Sequence, residues 1–310
     1  MGDKNRTLVT EFILLGISNY PRAQMVMSVI LLVFYLITLL GNSFMIILIL
    51  VSPLLHTPMY FFLSNLSFLD MFYTTSSVPQ ILVNCFSHQP TISYLRCMIQ
   101  MYVSLFLGIA ECFLLAVMAY DRFVAICRPL HYTLVMSKRL CIQLAAMSWA
   151  GAMVMTLIPF LVQPREFCGH NVINHFTCEL QAFLKLACSG THLIETVIMA
   201  DSFVVLVAPF FFILGTYGRI SSAVLRIHSA KGRGKAFSTC GSHLVVVSVF
   251  YGSALSMYLR PQGKSSSNHD KIISLFYGVV TPMLNPLIYS LRNKDVKGAF
   301  QRFLGKKMSE

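Results

Sequence analysis

The chain has 310 residues, of which 56% are hydrophobic and 12% are charged, and its mean hydropathy is +0.68. About a quarter of the residues of a soluble domain are charged, so this composition excludes a soluble protein and predicts an integral membrane protein. The net charge of +12 would suggest a nucleic-acid partner for a soluble chain. In a membrane protein the side on which Lys and Arg lie matters more, and no nucleic-acid partner is expected.

The first 24 residues contain no basic stretch followed by a short apolar core and a cleavage site. No removable signal peptide is therefore predicted. Residues 1–24 are expected to form an extracellular tail, in which Asn5 begins the glycosylation sequon Asn5-Arg6-Thr7.

Seven apolar segments follow, each long enough to cross a bilayer at roughly 20 residues per span. We therefore predict an all-α membrane protein, with a seven-transmembrane helix bundle over residues 25–291 and a long extracellular loop at 163–195. Residues 292–310 are predicted to form a short cytoplasmic amphipathic eighth helix and tail, which suits the negatively charged lipid of the inner leaflet. The seven segments are 25–50, 58–86, 97–126, 141–162, 196–225, 236–260 and 271–291.

An odd number of spans places the two chain ends on opposite sides of the membrane. With the N-terminus outside, fifteen of the 24 Lys and Arg residues lie inside and nine lie outside, which agrees with the positive-inside rule. The same orientation puts Cys97, Cys168, Cys178 and Cys188 on the oxidising side. Four cysteines there allow two bridges in three possible connectivities.

A charged pair, Asp121 and Arg122, closes the third apolar segment. Charges at a membrane boundary are costly to bury without partners, so the pair is interpreted as a switch contact. The alternative is a helix end that carries an ion pair by chance. Ser104 and Gly108 lie close to one stripe with Arg122, and the 18 residues from Ser104 to Arg122 cover ~27 Å, so one helix face joins the two sides of the membrane.

Two acids, Asp70 and Glu111, are predicted in the middle of the second and third helices, where an acid costs ~3 kcal/mol on insertion scales. A sodium ion bound by oxygen ligands would compensate this cost, and so would a proton shared by the two carboxyls. Asn42 and Asn285 are expected to be amide partners for these acids.

The seventh segment contains Pro282, Asn285, Pro286 and Tyr289, and its prolines predict a kink. A kinked helix near an inner tyrosine pair, Tyr217 and Tyr289, and an arginine suits a bundle with two packings of similar energy. Static packing is the alternative, since proline is common in membrane helices.

Four stretches carry a resemblance to a known family: PMYFFLS at 58–64, MAYDRFVAICRPLHY at 118–132, KAFSTCGSHL at 235–244 and PMLNPLIYSLRN at 282–293. They resemble the olfactory receptors, a branch of the rhodopsin-like G-protein-coupled receptors, and the similarity covers nearly the whole chain. The short loop at 261–269 is similar to that of the tetrapod-type class, which detects volatile odorants.

The resemblance implies a plasma-membrane receptor that binds a small, volatile odorant and activates a stimulatory G protein, which raises cyclic AMP. It implies the bridges Cys97–Cys178 and Cys168–Cys188. Phe123 departs from the family, which usually has tyrosine there, and the lost hydroxyl would affect basal activity. The implied switch and coupling residues are Asp121, Arg122, Tyr217, His243, Asn285, Pro286 and Tyr289.

The ligand is expected in the outer half of the bundle, because ligand sites are mostly apolar with a few placed polar groups. Helical periodicity, together with the family resemblance, selects one face on each of three helices. The predicted lining residues are Met101, Ser104, Leu105, Gly108 and Ile109 on the third helix, Ile198, Asp201, Ser202 and Val205 on the fifth, and Tyr251, Leu255 and Tyr258 on the sixth.

Asp201 is the most informative of these residues. It lies six residues past Glu195, ~9 Å along the helix, where it would be partly dehydrated. It would pair with an amine or accept a hydrogen bond from a hydroxyl or thiol ligand. Alternatively, it is a solvated acid or is bonded to the outer loop. The nearby sequence from His175 to Glu179 contains metal-binding residue types, but Cys178 is better used in a disulfide.

Other functional classes have less support. No nucleophile and base can be placed together, so no enzyme is predicted. A retinal-binding photoreceptor would need a lysine in the middle of the seventh helix, and Lys271 lies at its outer edge. A proton or ion carrier that uses Asp70 and Glu111 is the alternative from a different class. A non-olfactory chemosensory receptor is the alternative among receptors.

Overall fold

The computed structural model of the chain describes residues 9–16, 21–87, 89–163, 167, 171–187, 191–226, 230–258, 267–292 and 294–307. Within these residues the protein is a bundle of seven long helices, α1 to α7, followed by a shorter helix, α8. The glycosylation sequon at Asn5 lies outside them. The helices are α1 (Pro21–Val51), α2 (Pro58–Phe86), α3 (Tyr94–Cys127), α4 (Lys138–Val162), α5 (191–225), α6 (Ala230–Tyr258), α7 (267–292) and α8 (Lys294–Lys307).

The described helices have the length and composition of a multi-pass membrane protein. Six of them, α1 and α3 to α7, are long and apolar enough to cross a membrane. Helix α2 is also long enough, with 29 residues and a length of ~43 Å. Its hydropathy is lower because it carries polar residues such as Asp70 and Asn84, which are buried inside the bundle between α1 and α3. The predicted seven-helix membrane bundle is therefore confirmed.

Most helices begin before the apolar segment that predicted them. Helix α2 begins at Pro58 as predicted, whereas the other six begin three to six residues earlier. Apolar runs mark the part of a helix in hydrocarbon, but capping groups allow the helix to extend into the polar interface. The Ser93 hydroxyl accepts a hydrogen bond from the Arg96 N–H at the start of α3, and Ser137 does the same for Leu140 at the start of α4.

A small sheet covers one end of the bundle, which we call the disulfide end because the Cys97–Cys178 bond lies there. Phe12 in its central strand is fully buried, and its ring centroid lies 5.8 Å from that of Phe183. The sequence pattern predicts no strand here, because strands this short depend on pairing between distant segments. Strand β1 (Glu11–Leu14) pairs antiparallel with β2 (Thr91–Ser93) and parallel with β3 (Val172–Ile173).

Helices α5 and α7 each contain a π-helical turn, at Phe203–Val207 and Phe276–Val280. Each turn ends two residues before a proline, Pro209 or Pro282. A π-helical turn changes the direction in which the preceding residues face and is frequent at functional sites. The irregularities of both helices are thus concentrated in the half of the bundle nearer the disulfide end.

Helix α8 lies at the other end of the bundle, which we call the arginine end because it contains Arg122. It is amphipathic: Val296 and Ala299 are buried against the bundle, whereas Lys297 and Arg302 are exposed. This distribution is the one expected for a helix that lies along a membrane surface.

Candidate ligand cavity and switch region

The disulfide end is closed by a covalent bond between Cys97, in the first turn of α3, and Cys178, in the loop between α4 and α5. Gln100 holds the same loop, because its Oε1 accepts a hydrogen bond of 3.0 Å from the Cys178 N–H and its Nε2 donates to an α2 carbonyl at 3.1 Å. The bridge implied by the family resemblance is therefore confirmed. The second implied bridge, Cys168–Cys188, lies outside the described residues.

Replacing Cys97 with serine is expected to destabilise the fold and to reduce the amount of protein at the cell surface. The bond closes a loop of 81 residues. It therefore lowers the conformational entropy of the unfolded chain, which predicts that it stabilises the folded state by about 4–5 kcal/mol. Surface immunolabelling and thermal unfolding measure the effect. Cys85→Ser is the matched control, since Cys85 is a free, half-buried thiol in α2. Equal losses in the two variants would contradict a structural role for the bond.

A cavity lies beneath this loop, in the half of the bundle nearer the disulfide end. Its empty volume is about 1000 Å³, a figure that includes its open mouth. The described lining comes from α2, α3, α5, α6, α7 and the loop, and most of it is apolar. The polar side chains in it are those of Tyr73, Ser77, Ser104, Thr177, Glu179, Asp201, Ser202, Ser274 and Tyr277.

Eight of the twelve residues predicted to contact a ligand line this cavity. Gly108 leaves space on α3, since a β-carbon there would lie 3.9 Å from Tyr73 Cε2, an ordinary contact. The hydroxyl of Ser104 is not free, because it lies 3.2 Å from the hydroxyl of Ser76. That these residues contact a ligand stays a prediction. The eight are Met101, Ser104, Leu105, Gly108, Ile109, Asp201, Ser202 and Val205.

Helix α6 presents a different face to the cavity from the predicted one. Phe250 and Ala254 line the cavity, whereas Tyr251 and Leu255 do not. The Tyr251 side chain is fully buried, and its hydroxyl donates a hydrogen bond of 3.0 Å to the Cys112 carbonyl of α3. The face of α6 that lines the cavity is therefore one residue, or about 100°, away from the predicted face.

Two further predicted residues do not contribute to the described lining. Ile198 packs instead against the buried cluster under the small sheet. The side chain of Tyr258 lies outside the described part of the chain. Conversely, the prediction missed Tyr73 on α2, Tyr277 on α7 and Glu179 in the loop. Of these three, only Glu179 could have been placed in the cavity from the sequence. It directly follows Cys178, which the disulfide holds against the first turn of α3.

Two carboxylates line the cavity, those of Glu179 and Asp201. Glu179 Oε1 accepts a hydrogen bond of 2.6 Å from the Tyr277 hydroxyl, and its Oε2 lies 3.8 Å from His175 Nε2. Asp201 Oδ1 is buried and has no hydrogen-bond partner among the described residues. A buried acceptor without a partner is unfavourable, and a donor on a ligand would remove that cost.

The predicted intramembrane acids lie deeper in the bundle. Asn285 of α7 donates to both carboxylate oxygens of Asp70, at 3.2 and 3.0 Å. The Asn42 amide donates instead to the Pro282 carbonyl at 3.2 Å, so it holds α1 against α7 and does not donate to either acid. Several buried oxygen atoms here have no hydrogen-bond partner in the described structure: Asn42 Oδ1, Glu111 Oε1, Asn285 Oδ1 and the Tyr289 hydroxyl.

Helix α7 approaches α1 closely at Pro286. A β-carbon on Gly41 would lie only 3.0 Å from Pro286 Cγ, so a larger residue would require Pro286 to shift by a few tenths of an ångström. Tyr289, three residues further along α7, is almost fully buried. The predicted switch residues of α7 therefore lie against other helices of the bundle.

Closer to the arginine end, α6 is held against α3 and α5 by one histidine. His243 Nε2 lies 3.1 Å from the Leu115 carbonyl of α3, and its Nδ1 lies 2.8 Å from the Tyr217 hydroxyl of α5. Together with the bond between Tyr251 and Cys112, this gives two hydrogen bonds between α3 and α6 among the side chains that the structure describes. The position of α6 therefore depends on contacts with α3 at two levels.

Asp121 and Arg122 form a buried ion pair at the arginine end. Arg122 Nε and Nη2 donate to Asp121 Oδ2 at 3.1 and 2.5 Å, and the Tyr132 hydroxyl donates to Asp121 Oδ1 at 2.8 Å. Burial and the neighbouring Asp121 raise the pKa of Tyr132, which keeps its hydroxyl protonated as a donor. Phe123 packs near Tyr120, with 6.4 Å between ring centroids, and adds no hydroxyl to this network.

A seven-helix membrane bundle with a mainly apolar cavity near one end and a buried Asp–Arg pair at the other has the architecture of a rhodopsin-like G-protein-coupled receptor. The family model described as olfactory receptor matches residues 31–307. The chain is 55% identical to human olfactory receptor 13H1, over 99% of this chain and 100% of that receptor. It is 51% identical to human olfactory receptor 2K2, over 99% and 97%, and 53% identical to mouse olfactory receptor 2C1, over 96% and 95%. The chain therefore belongs to the olfactory receptor family.

Membership in this family confirms several predictions. The protein is an odorant receptor of the tetrapod-type class and not an enzyme, and it acts with an odorant ligand and a G-protein partner. A proton or ion carrier is not favoured, because the similarity to receptors covers nearly the whole chain.

Proposed function

We propose that this receptor lies in the plasma membrane, binds a small volatile molecule in the cavity, and activates a stimulatory G protein at its arginine end to raise cyclic AMP. The N-terminus and the disulfide end face outward, and the arginine end faces the cytoplasm. The bond between Cys97 and Cys178 supports this orientation, since disulfides persist on the oxidising side of a membrane. The excess of Lys and Arg on the opposite side also supports it.

The observation that carries the proposal is the pair of hydrogen bonds between α3 and α6. The first, from Tyr251 to the Cys112 carbonyl, lies at the floor of the cavity, which Cys112 itself lines. The second, between His243 and the Leu115 carbonyl, lies three residues closer to Arg122 along α3, ~4.5 Å. A ligand that favours a different packing of α6 biases both bonds and shifts the population of the signalling state.

A ligand panel tests this function in cells whose surface receptor is quantified by immunolabelling. Active odorants are expected to raise cyclic AMP in cells that contain the stimulatory G-protein α-subunit and to have no effect in cells that lack it. Ligand-dependent currents or pH changes that persist without the G protein would support the carrier function of Asp70 and Glu111 instead.

A sodium ion bound at Asp70 and Glu111 is the regulatory part of the same proposal, with a proton shared by the two carboxyls as its alternative. The donor set is all oxygen, as a hard cation requires. Glu111 Oε1 and Asn285 Oδ1 are buried atoms without partners in the described structure, so they are available as ligands. The positive charge would compensate the two acids inside the membrane.

Replacing choline chloride with sodium chloride at constant ionic strength is expected to raise the thermal unfolding temperature of the purified receptor. At a sodium concentration ten times Kd, mass action predicts about 1.4 kcal/mol of stabilisation, or a few degrees. Asp70→Asn is expected to abolish the difference, whereas Glu195→Gln, which changes an acid on α5, is expected to keep it. Equal unfolding temperatures in the two salts would favour the shared proton.

Membrane lipid is a further proposed partner, at α8. The exposed Lys297 and Arg302 and the buried Val296 and Ala299 lie on different sides of this helix. Basic side chains in this arrangement suit an amphipathic helix on the anionic inner leaflet.

A further inference from the structure

One carboxylate in the cavity is left without a hydrogen-bond donor by the described protein groups. Asp201 lies on α5 directly before the buried Ser202 and four residues before Val205, and all three residues line the cavity. Asp201 Oδ1 is buried, and no described group donates a hydrogen bond to it. An ionised carboxylate has about four acceptor positions, so Asp201 is equipped for a donor that comes from a ligand.

The charge of the cavity favours a particular kind of donor. Its described lining contains two carboxylates, Asp201 and Glu179, and no Lys, Arg or His. Glu179 already accepts a hydrogen bond from Tyr277 and lies 3.8 Å from His175 Nε2, so part of its charge is compensated. Asp201 has no comparable partner among the described residues. The space in front of Asp201 is therefore favourable for a cation.

We propose that Asp201 binds the protonated amino group of the ligand, and that the cavity selects small amines with an apolar body. This inference rests on the proposed odorant-receptor function and adds the ligand class to it. An ammonium group donates three hydrogen bonds and carries the charge that complements a carboxylate, whereas a hydroxyl group donates only one. Away from bulk water the attraction between the two charges is stronger.

The remaining lining explains why the body of the ligand is apolar. Val205 and Leu206 of α5 and Phe250 and Ala254 of α6 line the same cavity, and none of these side chains offers a polar group. A hydrocarbon chain is thus favoured beside the ammonium group, because burying it removes apolar surface from water. Ligands with a second charge at the far end are expected to bind weakly.

The test compares straight-chain amines, alcohols and aldehydes, from butyl to decyl, by cyclic AMP dose response at matched surface expression. Amines are expected to be the most potent class on the unmodified receptor. Asp201→Asn preserves the shape of the side chain and removes its charge, so it is expected to weaken the best amine by about tenfold to a hundredfold. Responses to aldehydes of the same length are expected to change little.

Two variants serve as controls. Asp201→Glu keeps the carboxylate and is expected to retain the preference for amines. Glu195→Gln removes an acid from the same helix, six residues earlier and outside the described lining of the cavity. It is expected to respond like the unmodified receptor, which shows that the effect depends on Asp201 and not on the net charge of α5.

The outcomes separate this inference from the proposed function. The amine inference would be overturned if amines were equally potent on the unmodified receptor and on Asp201→Asn. It would also be overturned if the receptor responded to aldehydes or alcohols but not to amines. Either result would leave the proposed odorant-receptor function intact. No response to any compound, with no ligand-induced shift in the thermal unfolding of purified receptor, would count against both. If Asp201→Asn does not reach the surface, a larger thermal shift with an alcohol than with the matching amine on the unmodified receptor overturns the inference.

Discussion

Replacing Gly108 with leucine is expected to raise the agonist concentration needed for a cyclic AMP response by about 5- to 150-fold. Gly108 lines the cavity, and a β-carbon there fits at 3.9 Å from Tyr73, so the further atoms of a leucine would occupy ligand space. Forcing extra methylenes into filled space costs about 1–3 kcal/mol, or roughly 5- to 150-fold in affinity. Dose–response curves at matched surface labelling measure the shift.

Gly252→Leu is the matched control for this substitution. Gly252 lies on α6 and is exposed, and no heavy atom of the described residues lies within 4 Å of the position of a β-carbon there. The control adds the same side chain to a helix without filling the cavity, and its agonist potency is expected to be unchanged. Gly108→Ala is expected to give a smaller loss than Gly108→Leu. Unchanged potency in Gly108→Leu would mean that the ligand binds outside this cavity.

Replacing Arg122 with alanine is expected to abolish agonist-driven cyclic AMP while ligand binding is retained. Arg122 is buried at the arginine end, where its Nε and Nη2 donate hydrogen bonds to the Asp121 carboxylate. It lies ~27 Å along α3 from Ser104, which lines the cavity. The change therefore removes the group proposed to couple to the G protein without touching the ligand. Ligand-induced thermal shift measures binding, and nucleotide exchange on the G protein measures coupling.

A loss of signalling in Arg122→Ala has to be distinguished from a loss of folded receptor. Removing one partner of a buried ion pair leaves an uncompensated charge, which typically costs about 3–5 kcal/mol. The double variant Arg122→Ala with Asp121→Asn removes both charges and is expected to reach the surface but not to signal. Arg139→Ala, which changes an exposed arginine at the start of α4, is expected to signal normally. Full agonist response in the double variant would exclude the proposed role of Arg122.

Much of the candidate site was predictable within single helices. Residues that share a face of a helix can be identified from a period of 3.6 residues, and for α3 every predicted residue from Met101 to Ile109 lines the cavity. The same holds for Asp201, Ser202 and Val205 on α5. Polar residues inside apolar segments, such as Asp70, were equally visible, because burying them without partners would be costly.

Contacts between helices were not predictable in the same way. The face of α6 that lines the cavity is one residue away from the predicted face. The orientation of α6 goes with the hydrogen bond from Tyr251 to the Cys112 carbonyl of α3, which depends on how two helices pack. Tyr73 and Tyr277 line the cavity because of how α2 and α7 pack against the other helices. The pairing of β1 likewise depends on two segments that are distant in the chain.

The amino-acid sequence by itself determined that this protein crosses a membrane seven times, and it determined the order and depth of the polar residues along each span. Hydrophobic length and helical rise are properties of one segment at a time, so they need no knowledge of its neighbours. Only the tertiary structure decided how each helix is rotated and which side chains meet across the cavity. It also decided that the Asp201 carboxylate faces the cavity with one oxygen that has no partner among the described residues. These features depend on contacts between segments that are distant in the chain.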